Sequence, residues 1–186
     1  MRFSYAEAMC DITHYAPLAM AADDSGWDSM VVPDSIAYPR DSDSKYPYTA
    51  DGNREFLQDK PFIEPFILIP ALAAVTERLK FNTFVVKLPI RQPVLVAKQA
   101  ASIAALSNNR FGFGIGLSPW PEDFAITGTE WKARGKRMDE MIHIIRGLLR
   151  GEFFRGKFRR GGVIGIGRQR GGWSEIGKIE LQSRLG

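Results

Sequence analysis

The chain has 186 residues, 45% hydrophobic and 25% charged, with 25 Lys and Arg against 21 Asp and Glu, the length and apolar share of one soluble domain or one domain with a tail. No run of 18 apolar residues offers a membrane span, and the opening MRFSYAEAMCD lacks the basic-then-apolar profile of a signal peptide. A single cysteine, Cys10, excludes an intramolecular disulfide and a Cys/His zinc cluster, so a cytoplasmic protein is expected.

Residues 2–5 (RFSY) suit a short strand. Asp11 or Thr13 offers an N-cap for a helix through APLAMAADD, with Pro17 tolerated in its first turn and Gly26 ending it. DSMVVPD (28–34) is a β-branched strand stopped by Pro33. Residues 35–60 form a polar, turn-rich connection longer than usual, and such segments are functional or disordered. PFIEPFILIPALAAVTER (61–78) reads as a helix containing Pro65 and Pro70, and KFNTFVVKLP (80–89) as a strand centred on Phe84, Val85 and Val86. PVLVAKQAASIAALS (93–107) is a helix opened by Pro93, with Val94, Ala97, Ala101 and Ala105 as its small-residue face and Asn108-Asn109 at its end. RFGFGIGL (110–117) is a strand, followed by a Pro-Trp-Pro loop. TEWKARGKRMDEMIHIIRGLLRG (129–151) is an amphipathic helix with its apolar stripe at Met138, Met141, Ile142, Ile145, Leu148 and Leu149. Four βα units without a hairpin signal imply a parallel sheet with crossover helices, in an open doubly wound sheet or a section of a (β/α)8 barrel.

The glycines of residues 109–118 (NRFGFGIGLS) satisfy neither the G-x-G-x-x-G fingerprint nor the P-loop: the third fingerprint position falls on Leu117 or Pro119, and no Gly-Lys-Ser/Thr follows. Alternate spacing puts Gly112, Gly114 and Gly116 on one strand face and Phe111, Phe113, Ile115 and Leu117 on the other. A bare strand face admits either a neighbouring group of the protein or a ligand.

VVPDSIAYP, TFVVKLPIRQPVLVAKQAASIAALSNNRFGFGIGLSPWPEDFAITG and RGKRMDEMIHIIRGLL together resemble the luciferase-like monooxygenase family. The specific part is the P-x-R-x-P-x-x-x-A-K helix followed by the S-x-x-R-F-x-x-G-x-G strand. The resemblance covers residues 1–154 and implies the N-terminal half of a (β/α)8 TIM barrel, here about four βα units. It implies a flavin-dependent oxidoreductase or monooxygenase acting on a small molecule, with FMN or an 8-hydroxy-5-deazaflavin coenzyme over the C-terminal ends of the strands.

By the same resemblance, the third strand carries a non-proline cis peptide at Phe84-Val85 against the back of the ring, with the Thr83 hydroxyl beside it. Asp34 corresponds to an acid at the cofactor's polar edge, and Gly114, Ile115 and Gly116 lie near the ring or its ribityl chain. Ser35 stands where many members have a histidine, and Leu117 where some deazaflavin-dependent dehydrogenases have a glutamate. Both departures weaken a sugar-phosphate dehydrogenase reading, because neither side chain transfers a proton near neutral pH. Trp120 walls the substrate pocket or pins its loop. His14 and His143 read as partly exposed and non-catalytic, Cys10 as a small buried thiol at the end of the first strand, and Arg134, Lys136 and Arg137 as a solvated helix face.

Composition changes near Gly151. Residues 1–150 hold 17 Lys and Arg, 18 Asp and Glu and 8 glycines; residues 151–186 hold 8, 3 and 10. Residues 155–186 are expected to be an irregular, non-family tail produced by a frameshift or early stop. That would leave a truncated half-barrel that self-associates through open sheet edges and binds flavin weakly or not at all. Two alternatives come from other classes: RRGG and RQRGG as a nucleic-acid-binding segment, and a non-catalytic partner subunit.

Overall fold

The computed structural model describes residues 1–6, 9–152, 154–157, 163–166 and 181–183. Strands β1 (Ser4–Ala6), β2 (Ser29–Val32), β3 (Lys80–Thr83), β4 (Val86–Lys87) and β5 (Phe111–Gly116) alternate with helices α1 (Tyr15–Asp24), α2 (Pro65–Ala73) and α3 (Pro93–Leu106). Helices α4 (Pro121–Ile126) and α5 (Arg134–Leu149) follow, then β6 (Phe154–Lys157), β7 (Val163–Ile166) and β8 (Leu181–Ser183). Pairing is parallel from β1 to β2, β2 to β3 and β3 to β5, as crossover helices require. Strand β4 continues β3 alongside β5, and β8 also pairs β5 in parallel.

The step from β3 to β4 sets the local shape. Asn82 pairs with Gly112 and Val86 with Ile115, so four steps on one strand oppose three on the other. The extra residue is a bulge across Thr83, Phe84 and Val85, the segment that carries the cis Phe84-Val85 peptide. The strand expected over 80–89 is therefore broken, and Leu88–Ile90 forms a 3-10 turn.

The core lies between the sheet and its helices. Phe81, Phe111, Phe113 and Ile115 are buried on the helix side with Phe66, Ile69 and Leu72 of α2 and Met141, Ile145 and Leu148 of α5. Small residues of α3 let α5 pack close. The buried set there is Ala97, Ala100, Ala101 and Ala104; Val94 is half-buried and Ala105 exposed, so the face is rotated from the expected one.

Other boundaries move for local reasons. Asp11 caps a 3-10 turn at Ile12–His14 through the Thr13 N–H (2.9 Å), and α1 begins after it. Glu64 accepts from the Ile67 N–H (3.1 Å) and starts α2 at Pro65, later than expected. The helix stops at Ala73, short of Arg78, because the Asp23 carboxylate takes the N–H groups of Glu77 (2.7 Å), Arg78 (3.0 Å) and Leu79 (2.7 Å). The Pro-Trp-Pro segment is only partly a loop: Pro121 occupies the first turn of α4, with Glu122 and Asp123 behind it as acids favoured at a helix start. Helix α5 begins at Arg134 rather than 129.

Two groups of residues differ from expectation. Cys10 lies beyond the end of β1 and is half-buried against the core, not fully enclosed. The face of Arg134, Lys136 and Arg137 is not uniformly solvated. Only Lys136 is exposed, Arg134 lies 3.6 Å over the Trp131 ring, and Arg137 donates to the carbonyls of Pro89 (2.7 Å) and Arg91 (3.3 Å).

The segment expected to be an irregular tail contains three short strands. β6 and β7 pair antiparallel as a hairpin, and β8 joins the sheet. RRGG and RQRGG lie outside the described residues.

At the N-terminal ends of the strands, Arg110 fixes the α2–β3 connection. Its guanidinium donates to the carbonyls of Ala73, Thr76, Leu79 and Ser107 and to the Thr76 hydroxyl, at 2.7–3.0 Å. The opposite ends of the strands carry the site.

Candidate functional site

Three strand ends converge: Asp34 and Ser35 after β2, Thr83 to Lys87 at the bulge, and Leu117 to Trp120 after β5. The bulge turns Phe84 outward, 56% exposed in a strand otherwise mostly buried, with Val85 half-buried beside it. This is an apolar shelf at the end of the sheet where parallel β/α proteins place their ligands.

The glycine face of β5 receives the chain itself. An added Cβ would lie 1.9 Å from the Asn82 Oδ1 at Gly112, 2.0 Å from the Thr83 carbonyl oxygen at Gly114 and 2.7 Å from the Val85 Cγ2 at Gly116. The glycines thus let the bulged strand approach β5. The Thr83 hydroxyl donates to the Gly114 carbonyl at 2.6 Å, and Thr83 is 2% exposed. Ile115 is on the other face, 3% exposed in the core, so its side chain does not share the glycine face.

Asp34 is also committed within the chain. One carboxylate oxygen accepts from the Lys87 N–H and the other from Arg91, both at 2.9 Å, and its side chain is 1% exposed. Arg91 continues to Glu64 at 2.9 Å. Asp34 therefore ties the end of β2 to the end of β4.

Sequence reasoning missed a second polar cluster. Lys87 Nζ lies 2.8 Å from the Asp123 carboxylate, with both side chains buried. The same carboxylate oxygen accepts from the Ser118 hydroxyl, and Ser118 Oγ accepts the Trp120 N–H at 3.1 Å. A lysine inside an apolar run and an Asp after Pro-Trp-Pro were the available signals; their pairing required the fold.

Over this end lies the 35–60 connection. Tyr46 stacks on Trp120 with ring centres 5.8 Å apart and also meets Tyr48 and Phe56 edge-on. The hydroxyls of Ser42 and Ser44 (2.7 Å) donate to one Glu122 oxygen. Burial raises the Glu122 pKa, but those two hydrogen bonds, its own backbone N–H and the Arg54 charge outweigh it and leave the group below its ordinary value. Beneath the connection is a cavity of about 290 Å³ whose wall includes Ser35, Tyr38, Arg54, Phe62 and Trp120. Ser35 and Trp120 are thus brought together, whereas Leu117, 41% exposed, lies outside that wall. His14 and His143 are exposed, His14 in the 3-10 turn that precedes α1 and His143 within α5, and neither lines that cavity.

Among the described residues, no group of three or more His, Cys, Asp and Glu side chains could hold a metal, and no helix is long and apolar enough to cross a membrane. For a flavin, the described residues offer the exposed Phe84 and half-buried Val85 as an apolar surface at the strand ends, while Asp34 and Thr83 have their polar groups engaged elsewhere.

Parallel strands that follow one another in sequence order (β1, β2, β3, β5) without the reversal of a doubly wound sheet, joined by crossover helices, match part of a (β/α)8 barrel. A profile of luciferase-like monooxygenases matches residues 4–166, and the chain belongs to that family. An uncharacterized protein of Mycobacterium tuberculosis is 65% identical over 154 residues, covering 83% of this chain and 54% of that protein. The oxygenating constituent of 3,6-diketocamphane monooxygenase from Pseudomonas putida, solved in complex with FMN, matches with a TM-score of 0.69 at 17% identity, over 91% of this chain and 46% of that one. The coenzyme F420 dependent tetrahydromethanopterin reductase of Methanopyrus kandleri matches with a TM-score of 0.57 at 16% identity, over 81% and 40%. These two likenesses show the fold, in proteins that use FMN and F420. The chain spans about half the length of the curated relatives it matches.

Proposed function

We propose that this chain carries the ring-binding face of a flavin- or deazaflavin-dependent monooxygenase or oxidoreductase acting on a small molecule. The observation that carries the reading is the outward-facing Phe84, with Val85 beside it, at the C-terminal strand ends of a member of this family. Bound there, the cofactor supplies the redox chemistry, and the protein supplies shape, orientation and exclusion of water.

Phe84 and Val85 support one face of the ring. Gly114 and Gly116 act through the bulge they admit, and Ile115 contributes backbone only. Asp34 and Thr83 position that bulge: Asp34 holds Lys87 and Arg91, and Thr83 holds Gly114. Ser35 and Trp120 face the substrate in the adjoining cavity, where Tyr46 packs on Trp120 to keep water out. Self-association through β1 goes with this reading, since β1 pairs only with β2 among the described residues.

Absorbance titration of the purified protein with FMN and with F420 tests the proposal. A shifted, saturable flavin band with either cofactor supports it; free-flavin spectra throughout overturn it for this chain.

A further inference from the structure

Residues 35–60 are tied to the rest of the protein at one place. Their backbone hydrogen bonds stay within the connection: the Tyr46 N–H donates to the Gly52 carbonyl at 2.9 Å and the Gly52 N–H to the Thr49 carbonyl at 3.2 Å. The Thr49 hydroxyl and the Arg54 guanidinium also donate inside it, to the carbonyls of Asn53 (2.9 Å) and Ser42 (3.3 Å). Among the described residues, the hydrogen bonds that leave the connection are those of the Ser42 and Ser44 hydroxyls, and both end on one oxygen of Glu122. No ion pair of the described residues reaches it. Its ring contact to another element is Tyr46 on Trp120, two residues before Glu122. The connection is thus an internally bonded body fastened at the start of α4.

The fastening is incomplete. Arg54 NH1 and Glu122 Oε2 are buried and have no hydrogen-bond partner among the described residues. The closed arrangement therefore takes parts of two charged groups out of water without partners, and opening returns them to it. Tyr38, Arg54 and Leu57 of the connection share the wall of the 290 Å³ cavity with Trp120, so the body that moves is one side of that cavity.

We propose that residues 35–60 form a cover clasped by Glu122, which opens as a unit and gives access to the cavity at the strand ends. Ser42 and Ser44 are the clasp's donors, and Arg54 holds the Ser42 backbone from within. Its meaning as an entrance rests on the flavin-enzyme reading, but the opening itself needs no flavin.

Hydrogen exchange of the full chain, read by mass spectrometry without cofactor, tests the clasp. The parent is compared with Glu122→Ala and with the double variant Ser42→Ala, Ser44→Ala, which removes the donors and leaves Glu122 in place. Peptides from residues 42–58 should exchange at least about tenfold faster in both variants, the order expected for losing hydrogen bonds to a charged acceptor. Peptides from β2, β3 and β5 should keep the parent's rates, which also shows that the sheet is still formed. Unprotected exchange of 42–58 already in the parent, unchanged rates there in both variants, or acceleration spread equally over β2, β3 and β5 would overturn the proposal. Local opening without flavin binding would overturn the function proposed above and leave the cover standing; flavin binding with 42–58 unaffected in both variants would do the reverse.

Discussion

Substituting Gly114 by alanine separates a glycine required by packing from one that is merely tolerated. The new Cβ would sit 2.0 Å from the Thr83 carbonyl oxygen, where ordinary contacts begin near 3.4 Å, so one strand must move by more than an ångström. The obstacle is backbone and cannot rotate away. It is anchored on both sides, by the Phe84 N–H to the Val32 carbonyl at 2.8 Å and by the Thr83 hydroxyl to Gly114 at 2.6 Å. Overpacking of this kind costs about 1–3 kcal/mol, and loss of the Thr83 bond adds about 1 kcal/mol. Gly135 is the counter-case: it lies in α5 with nothing within 4 Å of an added Cβ. Gly135→Ala should stabilise by about 0.5–1 kcal/mol through helix propensity and a less flexible unfolded chain. Urea unfolding followed by circular dichroism should lower the midpoint for Gly114→Ala by roughly 1 M or more, given slopes of about 1–3 kcal/mol/M, and raise it slightly for Gly135→Ala. Equal midpoints for Gly114→Ala and the parent chain would refute the claim that the bare face exists to admit the bulge.

The buried Lys87–Asp123 pair makes a second expectation: Lys87→Met leaves an uncompensated carboxylate and should cost about 3–5 kcal/mol, much of it recovered in Lys87→Met with Asp123→Leu. A double variant no more stable than the single one would contradict it. Asp23 predicts a pH dependence. Burial raises its pKa, but the N–H groups of Glu77, Leu79 and Arg78 and the Arg78 charge outweigh that and hold the folded carboxyl below its ordinary value. Its stabilisation is therefore full above the unfolded value and is lost as the pH falls through the folded one. Asp23→Asn should be less stable than the parent at pH 7, with the gap closing in acid; a gap independent of pH would argue against it.

Much of the barrel logic was legible because period and spacing are local. The βα alternation, the Gly112, Gly114 and Gly116 face and the α5 stripe follow from neighbours in sequence, and the family resemblance located the Phe84-Val85 cis peptide. What the sequence did not disclose depends on partners far along the chain. Asp34 looks available until Arg91 closes on it, and Thr83 until Gly114 does, 57 and 31 residues away. Arg110, part of the motif that carried the resemblance, serves the N-terminal end of the sheet rather than the site. Helix α4 was hidden by its own first residue, since Pro121 opens a helix as readily as it extends a loop.

The proposed function stands on the Phe84-Val85 shelf being the resting face for a flavin ring. The most direct measurement is a flavin difference spectrum recorded in parallel on the parent chain and on Phe84→Asp, with FMN and with F420. A shifted band should saturate for the parent chain and be weakened at least about tenfold by a charge placed on an apolar shelf. Equal binding by both proteins would place the ring elsewhere, and no band shift in either would remove flavin from the chemistry of this chain.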